Sequence, residues 1–211
     1  MKKERYYNSF RQEMIQFLPP VIKRSIEFGC GFGNFSAYIK SSYNAETWGV
    51  DFSQDAVNES KKVLDNVINA EAFAAMDVLP LDYFDCIICN DFLEHLECPE
   101  IFFSLIRKHL TQEACIVASV PNVRYWNNVI HFLVEKDWKY TDQGILDNTH
   151  LRFFTEKSLT RFINENRMVI EVMKGINKKK SGKLEILNIM TLGLIRDMRF
   201  LQFGFRARFK N

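Results

Sequence analysis

The chain has 211 residues, 47% of them hydrophobic and 26% charged, with a formal net charge of +2. That is enough sequence for one domain with a sizeable core and too little for two comfortable ones, and the composition excludes a disordered chain. The charge is uneven: from Lys174 to Asn211 ten lysines and arginines stand against Glu185 and Asp197, so a tail of +8 follows a body of −6; the tail suits phosphates or an anionic membrane surface, while a solvated charged face is the competing and commoner reading.

In chain order, an amphipathic helix is predicted over YYNSFRQEMIQFL, ended by Pro19 and Pro20, which cannot continue it. Strand-like apolar runs follow at SIEFG (25–29), AETWGVD (45–51), AEAFAAM (70–76), FDCIICN (84–90) and ACIVASV (114–120). Helical patterns lie between them, notably SQDAVNESKKVLDNVI and CPEIFFSLIRKHL. Strands alternating with such helices imply right-handed crossovers and a parallel sheet covered on both faces, a doubly wound α/β architecture. The last third changes rhythm: TEKSLTRFINENR reads as a helix opened by Thr155, MVIEVMKG as a strand, SGKLEILNIMTLGLI as a helix and RFLQFGFRARF as a final strand. The two late strands fit an antiparallel pair at one edge. No repeat or linker divides the chain, so residues 1–211 read as a single domain, with 122–150 as a lid or acceptor-binding insertion and 177–211 as a basic helix and final strand.

The opening segment lacks the apolar run of a signal peptide and nowhere do 18 apolar residues follow one another, so a cytoplasmic protein is expected. Five cysteines show no disulfide framework. Cys86 and Cys89 have CxxC spacing, but strand alternation sends them to opposite faces, as buried thiols rather than a metal or redox pair.

The densest signal is the loop Gly29, Cys30, Gly31, Phe32, Gly33, between the first strand and the helix NFSAYIK. It falls at the carboxyl end of the sheet, where open α/β folds bind ligands. Glycines there permit positive φ and let a ligand approach without meeting a Cβ. Asp51 ends the second strand, at the distance where such folds grip ribose hydroxyls with a carboxylate; NAD would fit that feature too. Asp51 as a helix cap is the competing role, for which Ser53 is the better residue.

Taken together, IEFGCGFGNFS, GVDFS, AMDVLPLDYFDCIICNDFLEHL and VPNVRYW resemble the class I S-adenosylmethionine-dependent methyltransferases over roughly residues 5–176. DQGILDNTHLRFFT and FLQFGFRAR are similar to small methyltransferases of bacterial surface-polysaccharide biosynthesis. The resemblance implies a Rossmann-like, mostly parallel seven-stranded sheet with an antiparallel edge strand. It implies that Gly29, Gly31 and Gly33 pass under the amino acid and ribose of S-adenosylmethionine, with Glu27 supporting the loop. By the same resemblance Asp51 takes both ribose hydroxyls, Phe52 lies against adenine, Asp77 accepts from the adenine amino group and Val78 offers its backbone amide. Asn90 and Asp91 then face the methionine moiety.

A hydroxyl acceptor must lose its proton, which histidine does well at neutral pH. His109 reads as a surface residue near a helix end, and His131 as packing beside apolar neighbours. His95 in NDFLEHL and His150 in LDNTHLRFF are the candidates to line the acceptor site, with Asp147 orienting one of them or sharing its proton. The competing role for His150 and Arg152 is to fasten the lid to the sheet. Asp91, Glu94 and His95 form DxxEH, whose oxygen-rich ligation would suit Mg²⁺ or Mn²⁺, but the reading adopted assigns no metal. Tyr125, Trp126, Trp138 and Tyr140 are expected over the active site, where sugar rings stack well, although a plain hydrophobic lid fits equally. Arg124 and Arg152 suit a phosphate or carboxylate on the acceptor, and Tyr6, Tyr7 and Arg11 the opposite wall.

The expected function is therefore methyl transfer to a hydroxyl of a sugar or small metabolite in cell-surface glycan assembly. A catalytically inactive cofactor-binding module of a glycan complex and an NAD(P)-linked sugar oxidoreductase are the alternatives. Nucleic acid is not an expected partner, since no NPPY-type base-binding motif is present.

Overall fold

The segment Phe84–Asn90 buries Cys86, Ile87, Ile88 and Cys89 in succession. A strand with no solvent face must lie inside a sheet covered on both sides, and the computed structural model, which describes residues 10–210, places it there. The strands are β1 (Arg24–Phe28), β2 (Glu46–Asp51), β3 (Asn66–Asn69), β4 (Phe84–Asn90), β5 (Leu110–Pro121), β6 (Met168–Lys178) and β7 (Phe200–Phe209). Their order is β3-β2-β1-β4-β5-β7-β6 in one seven-stranded sheet. The pairs from β3 to β5 are parallel, and β7 runs antiparallel to both β5 and β6 at the far edge. The chain winds outward both ways from β1 and β4, which leaves a crevice at their carboxyl ends.

The helices are α1 (Asn34–Tyr43), α2 (Gln54–Ser60), α3 (Ala72–Ala75), α4 (Pro99–Ile106), α5 (Trp126–Glu135), α6 (Glu156–Glu165) and α7 (Gly182–Met190). Side chains at alternate strand positions enter separate cores. Ile26, Phe28, Ile87 and Ile116 pack with Phe102 and Phe103 of α4 and Leu159 and Ile163 of α6. Cys86, Ile88, Cys115 and Val117 pack on the other face with Phe35 and Ile39 of α1 and with Met14 and Phe17. Cys86 and Cys89 thus occupy opposite faces as buried free thiols. Thr155 caps α6, accepting from the Ser158 amide at 3.1 Å while the Ser158 hydroxyl accepts from the Thr155 amide at 2.9 Å.

Three local expectations are corrected. The third strand is Asn66–Asn69, and Ala72–Ala75, expected to be extended, forms one helical turn instead. The segment is rich in alanine, the best helix former, and β3 needs only modest apolar content because it is an edge strand. The opening amphipathic helix is, within the described residues, a 3₁₀ turn at Gln12–Phe17; its expected start, with Tyr6 and Tyr7, lies outside them. His109 is buried rather than superficial, with Nδ1 donating to the Pro80 carbonyl at 2.9 Å.

Glu27 ties this framework together at the crevice. Its carboxyl is buried in β1, accepts from the Ser36 hydroxyl of α1 at 2.6 Å and lies 3.4 Å from the Asn90 amide at the end of β4. Burial pushes its pKa from 4.5 up to about 7, against the opposing pull of Ser36 and Asn90. A raised folded-state pKa means that the native chain holds a proton the unfolded chain has released. The associated stability is therefore present below pH 4.5 and lost as pH rises through about 7. Relative to Glu27→Gln, the wild-type chain should lose about 3 kcal/mol between mildly acidic and mildly alkaline pH. Urea denaturation at several pH values measures this, and parallel stability profiles for the two proteins would contradict it.

Candidate active site

The turn after β1 is built from three left-handed residues, Gly29 (φ 70°), Gly31 (φ 54°) and Gly33 (φ 79°). A side chain at any of them would be strained. The turn has no polar side chain of its own to hold it, so its backbone is anchored to β2. The Gly29 and Cys30 amides donate to the Val50 carbonyl at 2.8 and 3.2 Å, and the Gly31 amide donates to Asp51 Oδ2 at 2.9 Å. Cys30, expected among the cofactor contacts, turns its side chain inward: it is buried, and only a glycine at position 49 leaves room for its sulfur.

Asp51 also accepts from the Ser53 amide through Oδ1 at 2.9 Å. Each carboxylate oxygen thus has one backbone donor and retains a further lone pair. Burial pushes its pKa up, opposed by the Ser53 and Gly31 amides. Ser53 caps α2, accepting from the Ala56 amide at 3.4 Å, so the cap and the carboxylate are separate residues. Phe52, next to Asp51, is 67% exposed, which leaves its ring available to a planar group. Asn69 of β3 fixes the turn, donating to the Asp51 and Phe52 carbonyls at 3.0 and 3.1 Å, a role the sequence did not signal.

Asp77 and Val78 follow α3, and both are exposed. The Val78 amide is engaged with the Ala75 carbonyl at 3.2 Å, so the amide expected to face the ligand closes a helical turn instead. Asn90 Oδ1 is buried with no hydrogen-bond partner among the described residues. Such an orphan acceptor is costly, and a donor-bearing ligand would satisfy it. Donor and acceptor chemistry, an uncovered ring and a backbone without Cβ atoms at the turn all fit a nucleoside with vicinal hydroxyls.

Asp91 departs from expectation. It sits at φ 48° after β4 and turns toward β5 and β7, where it pairs with Arg11. It also accepts from the Ser119 hydroxyl at 2.7 Å and the Gln202 amide at 2.7 Å. Its oxygens are therefore satisfied within the protein. The network is built by Arg11, 80 positions away, whose guanidinium also reaches Glu13 at 2.7 Å and Gln202 at 3.2 Å.

The acceptor side is assembled from the 3₁₀ turn Leu93–His95 and the segment before α6. The Leu151 and Arg152 amides both donate to the Glu94 carbonyl, at 2.8 and 3.0 Å, and draw His150 against His95. The two rings meet edge to face with centroids 4.8 Å apart. Thr149 donates its hydroxyl to Asp147 Oδ1 at 2.6 Å, so its oxygen accepts from His95 Nδ1 at 3.1 Å. His150 Nδ1 lies 3.0 Å from the Ile145 carbonyl, which only accepts. Both rings thus carry their proton on Nδ1 and keep a basic Nε2. Burial and then the neighbouring His150 lower the pKa of His95, while the Thr149 hydroxyl and amide outweigh burial to lower that of Asp147.

Beneath them lies Glu94, fully buried, with neither carboxyl oxygen hydrogen-bonded among the described residues. Burial, then Asp91, push its pKa well above the usual carboxylate range. Its Oε1 lies 4.0 Å from His150 Nε2. One ligand atom each from Glu94, His95 and His150 falls within 4.8 Å of the others. A divalent cation would therefore take His150 in place of the Asp91 of the DxxEH reading, since Asp91 is committed to Arg11.

The arginines expected to meet the acceptor are committed elsewhere. Arg124 pairs with Asp197 at 2.7 Å and donates to the Leu194 carbonyl at 3.2 Å, while Arg152 donates to the Glu97 carbonyl and fastens the segment. Trp138 packs against Phe153 at 5.4 Å and Phe132 at 5.8 Å, with Tyr140 6.4 Å from Phe153. Helix α5 has no buried residue, and its His131 is exposed rather than packed.

The profile of the methyltransferase-domain family matches residues 2–166. Among curated proteins, the ubiquinone biosynthesis O-methyltransferase of Bradyrhizobium diazoefficiens is 25% identical over 158 residues, 72% of this chain and 61% of that protein. The mitochondrial ubiquinone biosynthesis O-methyltransferase of Schizosaccharomyces pombe is 26% identical over 162 residues, 73% and 58% respectively. The aligned region thus spans about three fifths of the length of these relatives. Among solved structures, a SAM-dependent methyltransferase from Archaeoglobus fulgidus superposes with a TM-score of 0.64 at 21% identity, covering 97% of this chain and 93% of its own. A putative S-adenosylmethionine-dependent methyltransferase from Listeria monocytogenes gives 0.63 at 15% identity, covering 100% and 99%. The sheet order, the glycine turn anchored to Asp51 and the family profile agree: this chain belongs to the methyltransferase-domain family.

Proposed function

We propose that the chain is an S-adenosylmethionine-dependent O-methyltransferase. The observation that carries this reading is the glycine turn held to Asp51, beside an uncovered Phe52 and an orphan acceptor on Asn90. Asp51 holds the ribose hydroxyls, Phe52 faces adenine, and the glycine turn admits the ligand backbone. When bound, S-adenosylmethionine supplies a methyl group on a sulfonium that departs as a neutral thioether, so alignment of the acceptor provides much of the rate.

The chain's own task is to bind, orient and deprotonate the acceptor hydroxyl. His95 is the base: it is the more accessible of the two histidines, its Nε2 has no hydrogen-bond partner among the described residues, and its lowered pKa keeps it neutral at physiological pH. Thr149, itself oriented by Asp147, fixes the tautomer. His150, buried and held by the Ile145 carbonyl, positions the His95 ring.

For the acceptor, the likeness through DQGILDNTHLRFFT and FLQFGFRAR favours a sugar hydroxyl of a surface glycan precursor. The names of the curated relatives favour a hydroxyl on a ubiquinone precursor as the second reading. Formation of S-adenosylhomocysteine with each acceptor class separates them, and cofactor binding without turnover on either would favour the inactive-module alternative.

Asp51→Ala should weaken S-adenosylmethionine binding by about 1–3 kcal/mol, the scale of an unpaired buried polar group; isothermal titration measures it, and unchanged affinity removes Asp51 from the ribose role. His95→Ala should lower kcat by about 10² to 10⁴ with cofactor affinity preserved. Wild-type turnover should fall as pH drops through a pKa below the ordinary 6.5 of histidine. Turnover abolished by EDTA and restored by Mn²⁺ would instead give Glu94, His95 and His150 to a cation.

A further inference from the structure

Helix α7 and the turn after it project apolar side chains that are left exposed among the described residues. Ile186, Ile189 and Met190, at helical spacing on one side of α7, are 62%, 73% and 74% exposed. Leu192 and Leu194 are 95% and 77% exposed on either side of Gly193. The turn is a built element, since the Gly193 amide donates to the Asn188 carbonyl at 2.8 Å and the Leu194 amide to the Thr191 carbonyl at 3.1 Å. Its base is clamped to the body by Arg124, which holds Asp197 at 2.7 Å and the Leu194 carbonyl at 3.2 Å.

A second, independent feature borders this surface. Lys178, Lys179 and Lys180 are all exposed where β6 ends, immediately before α7. Glu185, the acid of α7, is already neutralised by Arg199 at 2.9 Å and Lys178 at 3.4 Å. Among the described residues Lys179 and Lys180 have no acidic partner. Exposed apolar side chains on a fixed turn, with uncompensated cations at its root, are the chemistry of an interfacial segment that enters the boundary of an anionic bilayer. Among the described residues no helix is long and apolar enough to cross a membrane, so the contact would be peripheral.

We propose that this surface docks the protein on an anionic phospholipid bilayer, Leu192 and Leu194 inserting at the lipid boundary while Lys179 and Lys180 meet the headgroups. The strand ends that carry α7 lie at the carboxyl edge of the sheet, through the pairing of Pro121 with Gln202 and of Lys178 with Phe200. A docked bilayer would therefore lie at the same sheet edge as the crevice. Docking is independent of the proposed chemistry, because none of these residues belongs to the site.

The test is co-sedimentation of the full chain with vesicles of phosphatidylcholine alone and of phosphatidylcholine containing phosphatidylglycerol. Binding is expected only to the anionic vesicles, and should weaken with salt. Lys179→Ala/Lys180→Ala should reduce it by roughly tenfold or more, and Leu192→Ser/Leu194→Ser should reduce it comparably. Both variants should keep wild-type cofactor affinity by isothermal titration, which certifies that they fold. Absence of binding to anionic vesicles, or binding untouched by both double substitutions, overturns the proposal. So does self-association that Leu192→Ser/Leu194→Ser abolishes while vesicles are ignored, since the face would then be an interface between copies of the chain.

Discussion

Two buried carboxyls hold a turn that cannot hold itself. Between β1 and α1 the chain reverses through three left-handed glycines, which bring no side chains to pack or hydrogen-bond. Asp51 takes the Gly31 amide and Glu27 takes the Ser36 hydroxyl, so the turn is fixed from β2 on one side and from β1 on the other. Hydrogen bonds contribute about 0.5–1.5 kcal/mol each, more where the acceptor is ionised, and so offset part of the conformational freedom glycine brings to the unfolded chain.

The two carboxyls sit in similar burial yet do different work. Glu27 faces a hydroxyl and an amide and has little to compensate its charge, so it retains a proton to about pH 7. Asp51 receives two backbone amides, which oppose the effect of burial. The same division recurs across the crevice. Asp91 is surrounded by Arg11, Ser119 and Gln202, whereas Glu94, three residues on, has neither carboxyl oxygen hydrogen-bonded to another side chain among the described residues, and burial pushes its pKa up.

The parts of this design legible in sequence are those with local causes. FDCIICN was readable as an inner strand because four successive residues had to be buried, and its bounds match β4. The glycine turn and Asp51 were readable because φ and strand position are short-range properties. β3 was not, since NVIN carries the weak pattern of an edge strand and the alanine-rich segment beside it looked apolar enough to replace it. Long-range pairing was also invisible: nothing near Asp91 announces Arg11, and nothing near Arg124 announces Asp197. Hence two arginines and a carboxylate assigned to ligands turned out to be engaged within the protein. His150 against His95 was anticipated as a pair of candidates but not as a contact, which depends on the Glu94 carbonyl capturing two amides of a distant segment.

The most direct test of the central claim is a crystal structure of the chain with S-adenosylhomocysteine. The account predicts the ribose hydroxyls on Asp51, the adenine ring against Phe52 and the amino acid portion above the glycine turn. A nucleoside bound away from the Asp51 carboxylate, or a crevice that excludes it while a different nucleotide enters, would contradict it.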